Sequence, residues 1–241
     1  MPAAAVPLAV VSLSGGMDST TLLGHYADPE RGYRVLAVSL DYGQRNVREL
    51  DSAGAVAAHY DVEHLVVDLR AVGALLTGCA LTDPSVEVPD GQYIADWDAA
   101  MKALVVPNRN MIFGSVLIGI AVSRQAQVVA LGMHAANHVV CPDCRPEFVT
   151  ALDHVAAVAN EGFNPPAVEA PFIHMSKTDV TRRGSELGAP LHLTWSCYKD
   201  GDTQCGVCAT CRERQEAFQD AGVPDPTTYA DSAARLGAVT S

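Results

Sequence analysis

Short apolar runs alternate with helix-like segments along this chain, and this alternation constrains its fold more than any other feature. Runs of aliphatic and β-branched residues predict buried strands at residues 8–13, 35–40, 64–68, 127–131 and 167–170. Helices are predicted between and after them, at residues 19–26, 48–60, 111–123, 146–161 and 177–187. Strands that are apolar on both faces and separated by helices are typical of a parallel sheet covered on both sides. We therefore expect an α/β fold with a doubly wound parallel sheet.

Composition and charge narrow the class of protein. The 241 residues suffice for one large domain or a domain with an appendage, and 49% of them are hydrophobic, which is enough for a substantial core. The formal net charge of -12 argues against a nucleic-acid partner, which would require a basic face. Apolar runs are shorter than the roughly 20 residues that cross a bilayer, so we expect no membrane partner. The apolar start lacks a basic region, so we do not predict a signal peptide.

Four of the seven cysteines are clustered in the stretch WSCYKDGDTQCGVCATC. Crowded thiolates repel one another unless a cation neutralises them, and four such ligands are typical of a closed, tetrahedral, structural Zn²⁺ site. Gly206 would let the chain wrap closely around an ion. Four buried or redox-active thiols are the alternative. Clustering also indicates a reducing, cytoplasmic location rather than a disulfide framework. We predict a domain at residues 1–190 and a zinc-binding segment at residues 191–241, whose ligands are Cys197, Cys205, Cys208 and Cys211.

A glycine-containing loop, Ser-Gly-Gly-Met-Asp-Ser at residues 14–19, follows the first predicted strand and begins the first predicted helix. Paired glycines let the backbone approach an anion, and a helix N-terminus supplies free N–H groups and a positive dipole. The loop lacks the Gly-Lys-Ser/Thr ending of a Walker A motif. A tight strand-to-helix turn is the alternative reading. We predict that this loop binds the phosphates of ATP through Ser14, Gly15, Gly16, Asp18, Ser19 and Thr20.

The loop resembles the PP-loop of the ATP pyrophosphatase superfamily, whose fold is adenine nucleotide alpha hydrolase-like. Further motifs follow in order: DYGQR, VPNRN, PDCRPEF, SKTDV and the cysteine cluster with its flanks. This combination covers nearly the whole chain and is similar to the 7-cyano-7-deazaguanine (preQ0) synthase family, QueC. The resemblance implies that 7-carboxy-7-deazaguanine is adenylated by ATP and converted by ammonia to the amide. A second adenylation, of the amide oxygen, then allows dehydration to the nitrile.

The resemblance also implies roles for individual residues. Asp18 is expected near the phosphates, where it helps to hold Mg²⁺, while Lys177 and Arg109 are candidates for stabilising phosphate charge. Both could instead be ordinary surface cations. On the substrate side, an arginine fork suits a planar carboxylate and an aspartate suits the guanidine-like edge of a deazaguanine. The substrate-side candidates are Arg45, Asp143 and Arg145, with salt bridges inside loops as the alternative.

The chain departs from the family pattern at residues 137–141. An Asp-Tyr-Ser-Gly-Tyr segment is expected there, and this chain reads Asn-His-Val-Val-Cys, while Asn46 stands where histidine is usual. If this loop lines the pocket, the enzyme could stop at the amide or join a related acid to another amine. A packing change in a divergent homologue is the plainer interpretation. Cys141 and Cys144 form an extra C-x2-C pair that could bind metal or be redox-active.

The remaining expectations concern two histidines, an irregular segment, rival functions and partners. His134 and His138 are interpreted as simple hydrogen-bonding residues, and residues 76–106 as either a flap over the site or a surface excursion. A tRNA-modifying PP-loop enzyme and a non-catalytic zinc module are the rival functions; the acidic charge opposes the first and the intact loop opposes the second. The expected partners are small molecules, and a homodimer is expected.

Overall fold

The computed structural model describes residues 6–83, 85–86, 88, 104–135, 141–199 and 201–230. Its centre is a five-stranded sheet in the order β3-β2-β1-β4-β5. Every pair of neighbouring strands is parallel. The strands are β1 (Leu8–Ser12), β2 (Arg34–Asp41), β3 (Glu63–Asp68), β4 (Val128–Ala130) and β5 (Ala167–Glu169).

Helices connect these strands and continue past the last one. They are α1 (Met17–Ala27), α2 (Arg48–His59), α3 (Arg70–Gly73), α4 (Arg109–Ser123), α5 (Pro146–Ala159), α6 (Lys177–Glu186) and α7 (Ala209–Ala221). Three-residue 3₁₀ turns lie at Pro29–Arg31, Pro142–Cys144 and Leu191–Leu193. The short α3 and the final α7 are absent from the prediction. None of the helices in the described ranges is long and apolar enough to cross a membrane.

Hydrophobic clusters cover both faces of the sheet, which confirms the predicted doubly wound fold. Ala9 and Val11 of β1 pack with buried residues of α1, α2 and α6. Val10, the residue between them, points to the other face and packs with α4 and α5. Alternate side chains of a strand point to opposite faces, so a strand that is apolar throughout requires helices on both sides.

The strand order places a binding site above β1 and β4. The chain leaves β1 toward β2 on one side, whereas β4 lies on the other side of β1. In open parallel sheets, ligands collect beyond the carboxyl ends of the strands at such a reversal of order. The glycine-containing loop follows β1 directly and begins α1. The fold therefore positions this loop where a ligand is expected.

The C-terminal segment packs onto the same end of the sheet. Phe218 of α7 shares a buried cluster with Leu191 and with Met17 of α1. The Trp195 backbone N–H donates a hydrogen bond to the Gly15 carbonyl at 3.0 Å. The cysteine-rich segment is thereby tied to the glycine-containing loop. The division at residue 190 stays a prediction, and most of the expected flap at residues 76–106 lies outside the described residues.

Candidate active site

The glycine-containing loop requires glycine at its second position for a steric reason. Gly15 has a φ of +84°, and a Cβ at this position would lie 2.1 Å from the Glu49 carbonyl oxygen on α2. The loop can pack this closely against α2 because no side chain intervenes. Gly16 then caps α1 without a side-chain hydrogen bond to the helix N-terminus. The first N–H groups of α1 therefore remain available to an anion.

Asp18, in the first turn of α1, is the centre of the site. Lys177 Nζ donates to Asp18 Oδ2 at 2.6 Å, and His134 Nε2 lies 3.4 Å from the same oxygen. Lys177 begins α6 and His134 follows β4, so three elements converge on one carboxylate. Glu213 of α7 lies 3.9 Å from Lys177 Nζ. The cysteine-rich segment thus contributes a charged group to the site.

These charges fix the protonation of the pair. Burial opposes ionisation of Asp18, but the charge and hydrogen bond of Lys177, with His134 close to the same oxygen, outweigh it and hold the Asp18 pKa well below its usual range. Burial likewise works to lower the pKa of Lys177, but Asp18 and Glu213 raise it above its ordinary value. The site therefore presents an ionised carboxylate beside an ammonium group at neutral pH.

Buried polar atoms without partners are concentrated around this carboxylate. In the part of the chain that the structure describes, Asp18 Oδ1, Thr20 Oγ1 and both ring nitrogens of His134 are buried and lack a hydrogen bond of good geometry. An unsatisfied buried polar group costs about 1–3 kcal/mol, and such groups are rare in folded proteins. Their concentration beside a helix N-terminus indicates a site for a polar ligand.

A second charged group, Arg109, also lines the cavity described below. Arg109, at the start of α4, interacts electrostatically with the Tyr42 hydroxyl. Glu49 of α2 also lines this region, and burial raises its pKa to about 7, although the charge of Arg109 opposes the rise. A carboxyl group that titrates near neutrality can exchange a proton during a reaction.

These groups surround a cavity of about 360 Å³ beyond the ends of β1, β2 and β4. Its size is within the usual range for small-molecule sites. The predicted residues that line it are Ser14, Gly16, Asp18, Ser19, Arg45, Arg109 and Lys177. Four other predicted residues are not among the described residues that line it: Gly15, Thr20, Asp143 and Arg145. Most of the predicted phosphate-side residues therefore line one cavity, whereas Arg45 alone of the three substrate-side candidates does so.

The substrate-side candidates have structural contacts of their own. Arg45 donates to the carbonyl oxygens of Asp83 and Val86 at 3.2 and 3.0 Å. The Asp143 carboxylate accepts the backbone N–H of Asn110 at 3.0 Å, at the start of α4. Arg145 is the N-cap residue of α5. Their roles toward a substrate stay predictions.

The four clustered cysteines form a compact group of sulfurs. Their Sγ atoms all lie within 4.8 Å of one another. The Cys205–Cys211 and Cys208–Cys197 sulfur pairs are 3.9 and 4.0 Å apart. Tetrahedral coordination with Zn–S bonds of about 2.3 Å requires sulfurs about 3.8 Å apart. The cluster could therefore bind a metal ion, and these distances fit zinc.

The sequence interpretation missed several groups in this site. His134, interpreted as a simple hydrogen-bonding residue, is fully buried beside Asp18. Glu49 and Glu213 carry no local signal, because their position depends on how α2 and α7 pack. Asn46, noted as a departure, donates through its side chain to the Cys197 carbonyl and so ties the two regions together. Of the divergent loop, residues 137–140 lie outside the described residues.

Comparison with known proteins places the chain in a family. The family model of queuosine biosynthesis protein QueC matches residues 8–222. The 7-cyano-7-deazaguanine synthase of Brucella anthropi is 44% identical over 92% of this chain and 94% of its own. That of Rhizobium meliloti is 46% identical over 92% of both chains. The chain therefore belongs to the QueC family.

A solved structure is also similar. The U34-tRNA thiolase NcsA of Methanococcus maripaludis superposes with a TM-score of 0.48 and 13% identity, over 90% of this chain and 68% of that one.

Proposed function

We propose that this chain uses ATP and ammonia to convert 7-carboxy-7-deazaguanine into the nitrile 7-cyano-7-deazaguanine. The observation that carries the proposal is the Asp18–Lys177 ion pair beside the free N-terminus of α1, at the edge of one cavity. A family whose members are 7-cyano-7-deazaguanine synthases supplies the substrate class. These relatives do not favour the alternative of an enzyme that stops at the amide.

The chemistry asks the protein mainly for positioning and charge stabilisation. A carboxylate oxygen attacks the α-phosphorus of ATP, so pyrophosphate leaves and the acid becomes a mixed anhydride. Ammonia then displaces AMP and gives the amide. The amide oxygen attacks a second ATP in the same way, and loss of AMP and a proton leaves the nitrile. Both rounds need ATP beside the same carbon atom, so one cavity can serve both.

The phosphate end of the cavity is suited to the leaving pyrophosphate. The N-terminus of α1 has no side-chain cap and directly follows the loop, and Lys177 places a positive charge beside Asp18. Asp18 keeps one oxygen without a hydrogen-bond partner while the other binds Lys177. We assign Mg²⁺ to this free oxygen, because hard cations prefer carboxylate ligands and bind through few of them when phosphates complete the shell. Bound Mg²⁺ would neutralise phosphate charge.

The rest of the cavity is assigned to the acid and the amine. Arg109 and Arg45 line it and supply positive charge for a carboxylate. Glu49 lines the same cavity, and its raised pKa of about 7 suits it to take the proton that ammonium must lose before it attacks. Asp143 and Arg145 remain candidates for recognition of the purine-like ring.

The cysteine cluster is assigned a structural Zn²⁺ ion. Four thiolates leave the ion with no open coordination position, so it holds the segment together rather than entering the reaction. The segment in turn presents Glu213 and Trp195 to the cavity. The expected homodimer and the division at residue 190 also stay proposals, which sedimentation and limited proteolysis test.

The test is a reconstituted reaction with ATP, Mg²⁺, ammonium and 7-carboxy-7-deazaguanine. We expect the nitrile by mass, with AMP and pyrophosphate formed in equal amounts and only when the acid is present. ADP or orthophosphate as the nucleotide products would contradict the proposal. Accumulation of the amide with no nitrile after long incubation would restore the amide-forming alternative.

A further inference from the structure

A second group of metal-ligand side chains lies apart from the four-cysteine cluster. Cys141, Asp143 and Cys144 each offer one ligand atom, and these atoms lie within 4.8 Å of one another. Cys141 directly precedes the 3₁₀ turn Pro142–Cys144, and Cys144 N–H donates to its carbonyl at 3.0 Å. This hydrogen bond joins positions i and i+3 and closes the turn. The two sulfurs lie within 4.8 Å of each other as a result.

Neighbouring groups fix the donors of this second group in place. The Asn110 side-chain amide donates to Cys144 Sγ at 3.2 Å, and the Asn110 backbone N–H donates to Asp143 Oδ2 at 3.0 Å. Cys144 is buried and Cys141 is partly exposed, and both line the cavity. The donors are held before any ion arrives, which lowers the ordering cost of binding one.

Charge balance favours a divalent ion at this place. Two thiolates and a carboxylate carry three negative charges when they act as ligands. The Arg109 guanidinium interacts electrostatically with Cys141 and contributes one positive charge. A divalent cation would bring the net charge of these four groups to zero. Two thiolates with one carboxylate suit zinc better than magnesium or calcium, because thiolates are soft ligands.

We propose that Cys141, Asp143 and Cys144 form a second divalent metal site, selective for zinc-like ions, at the wall of the catalytic cavity. Cys141 completes it, since it stands where the family pattern leads us to expect tyrosine. Three protein ligands leave a fourth tetrahedral position for water or another small oxygen or nitrogen donor. The site does not depend on the proposed reaction, and it competes for Asp143 with the role of that residue toward the substrate.

The experiment counts metal in the full-length protein. The protein is incubated with excess Zn²⁺, desalted, and analysed for zinc and protein by mass spectrometry. We expect two zinc ions per chain in the wild type and one in Cys141→Tyr, which carries the residue expected from the family. Cys141→Ser and Asp143→Asn should also lose one ion. Cys79→Ser, which alters a buried cysteine outside both groups, should keep two.

The same samples show the results that would overturn the site. One zinc ion per chain in the wild type, with Cys141 and Cys144 both reactive toward a thiol reagent, would refute it. A disulfide between these two cysteines in the Zn²⁺-treated wild type, seen by peptide mass, would instead identify a redox pair. Loss of both ions in every variant would show that the count reflects the four-cysteine cluster alone. Co²⁺ provides a second readout, because two thiolates and four thiolates give different absorption spectra.

Discussion

The glycine-containing loop and the cysteine-rich segment meet in one cavity, but the buried charged groups at their centres differ in how fully they are hydrogen-bonded. Around the loop, four buried atoms of Asp18, Thr20 and His134 lack a hydrogen bond of good geometry in the described structure, against one atom, Gln215 Oε1, in the described part of the segment. In the segment, the buried Arg214 donates to Thr227, Thr194, Ser196 and the Leu191 carbonyl, and its guanidinium also lies over the Phe218 ring.

This difference separates a site that awaits a ligand from a site that maintains the fold. Unsatisfied buried groups cost free energy that only a ligand, ion or water can recover. A fully hydrogen-bonded buried charge, in contrast, is complete without one. The comparison predicts that mutations in the loop impair chemistry with little effect on unfolding, whereas mutations in the segment impair folding first.

The largest effect is expected for Cys208→Ser. Loss of one of four ligands should remove the bound metal and destabilise the protein by about 4 kcal/mol or more. For a chain of this size that corresponds to a fall in Tm of roughly 10 °C or more. Thermal unfolding and metal content measure it, with Cys79→Ser as the control. A variant that keeps its Tm but loses activity would place these cysteines in the chemistry instead.

Asp18→Asn should reduce kcat by about 10³-fold or more while the protein stays folded. The substitution keeps the shape but removes the charge that faces Lys177 and the proposed Mg²⁺. Pyrophosphate release measures the effect, and circular dichroism checks the fold. Asp220→Asn makes the same chemical change at an exposed position of α7 and should leave the rate unchanged. A near wild-type rate for the Asp18 variant would remove the loop from the proposed mechanism.

Arg214→Met should destabilise the fold by about 3 kcal/mol, because it leaves buried acceptors of the segment unpaired. Denaturant unfolding measures this change. Arg182→Met removes only an exposed ion pair with Asp179 and should cost less than ~1 kcal/mol. Equal losses in the two variants would show that the segment does not depend on its buried arginine.

The smallest effect is a change in pH dependence for Glu49→Gln. Burial raises the Glu49 pKa from 4.5 to about 7, so the folded protein keeps a proton that the unfolded chain releases. Wild-type stability from this group therefore falls as pH rises between about 4.5 and 7. The glutamine variant lacks this loss, so its free energy of unfolding should rise by about 1–3 kcal/mol relative to the wild type between pH 5 and 8. If the free energy of unfolding changed with pH in the same way in the wild type and in Glu49→Gln, Glu49 would be in contact with solvent.

The fold and part of the site could be predicted from the sequence. Periodicity gave the five strands, and the glycine-containing loop could be placed because it directly follows one of them. A local motif, however, does not indicate which residues from distant parts of the chain pack beside it. His134 reaches Asp18 only because the loop after β4 lies beside the loop after β1, and Glu213 reaches Lys177 only because α7 packs on α6. Motifs predicted Arg109 and Lys177 as site residues. Glu49, the candidate for proton exchange, could be identified only from the cavity that the structure shows.

The most direct test of the central claim follows the oxygen atoms of the substrate. The claim is that the loop after β1 holds ATP so that the substrate oxygen attacks its α-phosphorus. We expect 7-carboxy-7-deazaguanine labelled with oxygen-18 at both carboxylate oxygens to transfer one label to AMP in each of the two rounds. All label should then reside in AMP, and the nitrile should contain none. Labelled orthophosphate, or unlabelled AMP with label released to water, would contradict the account.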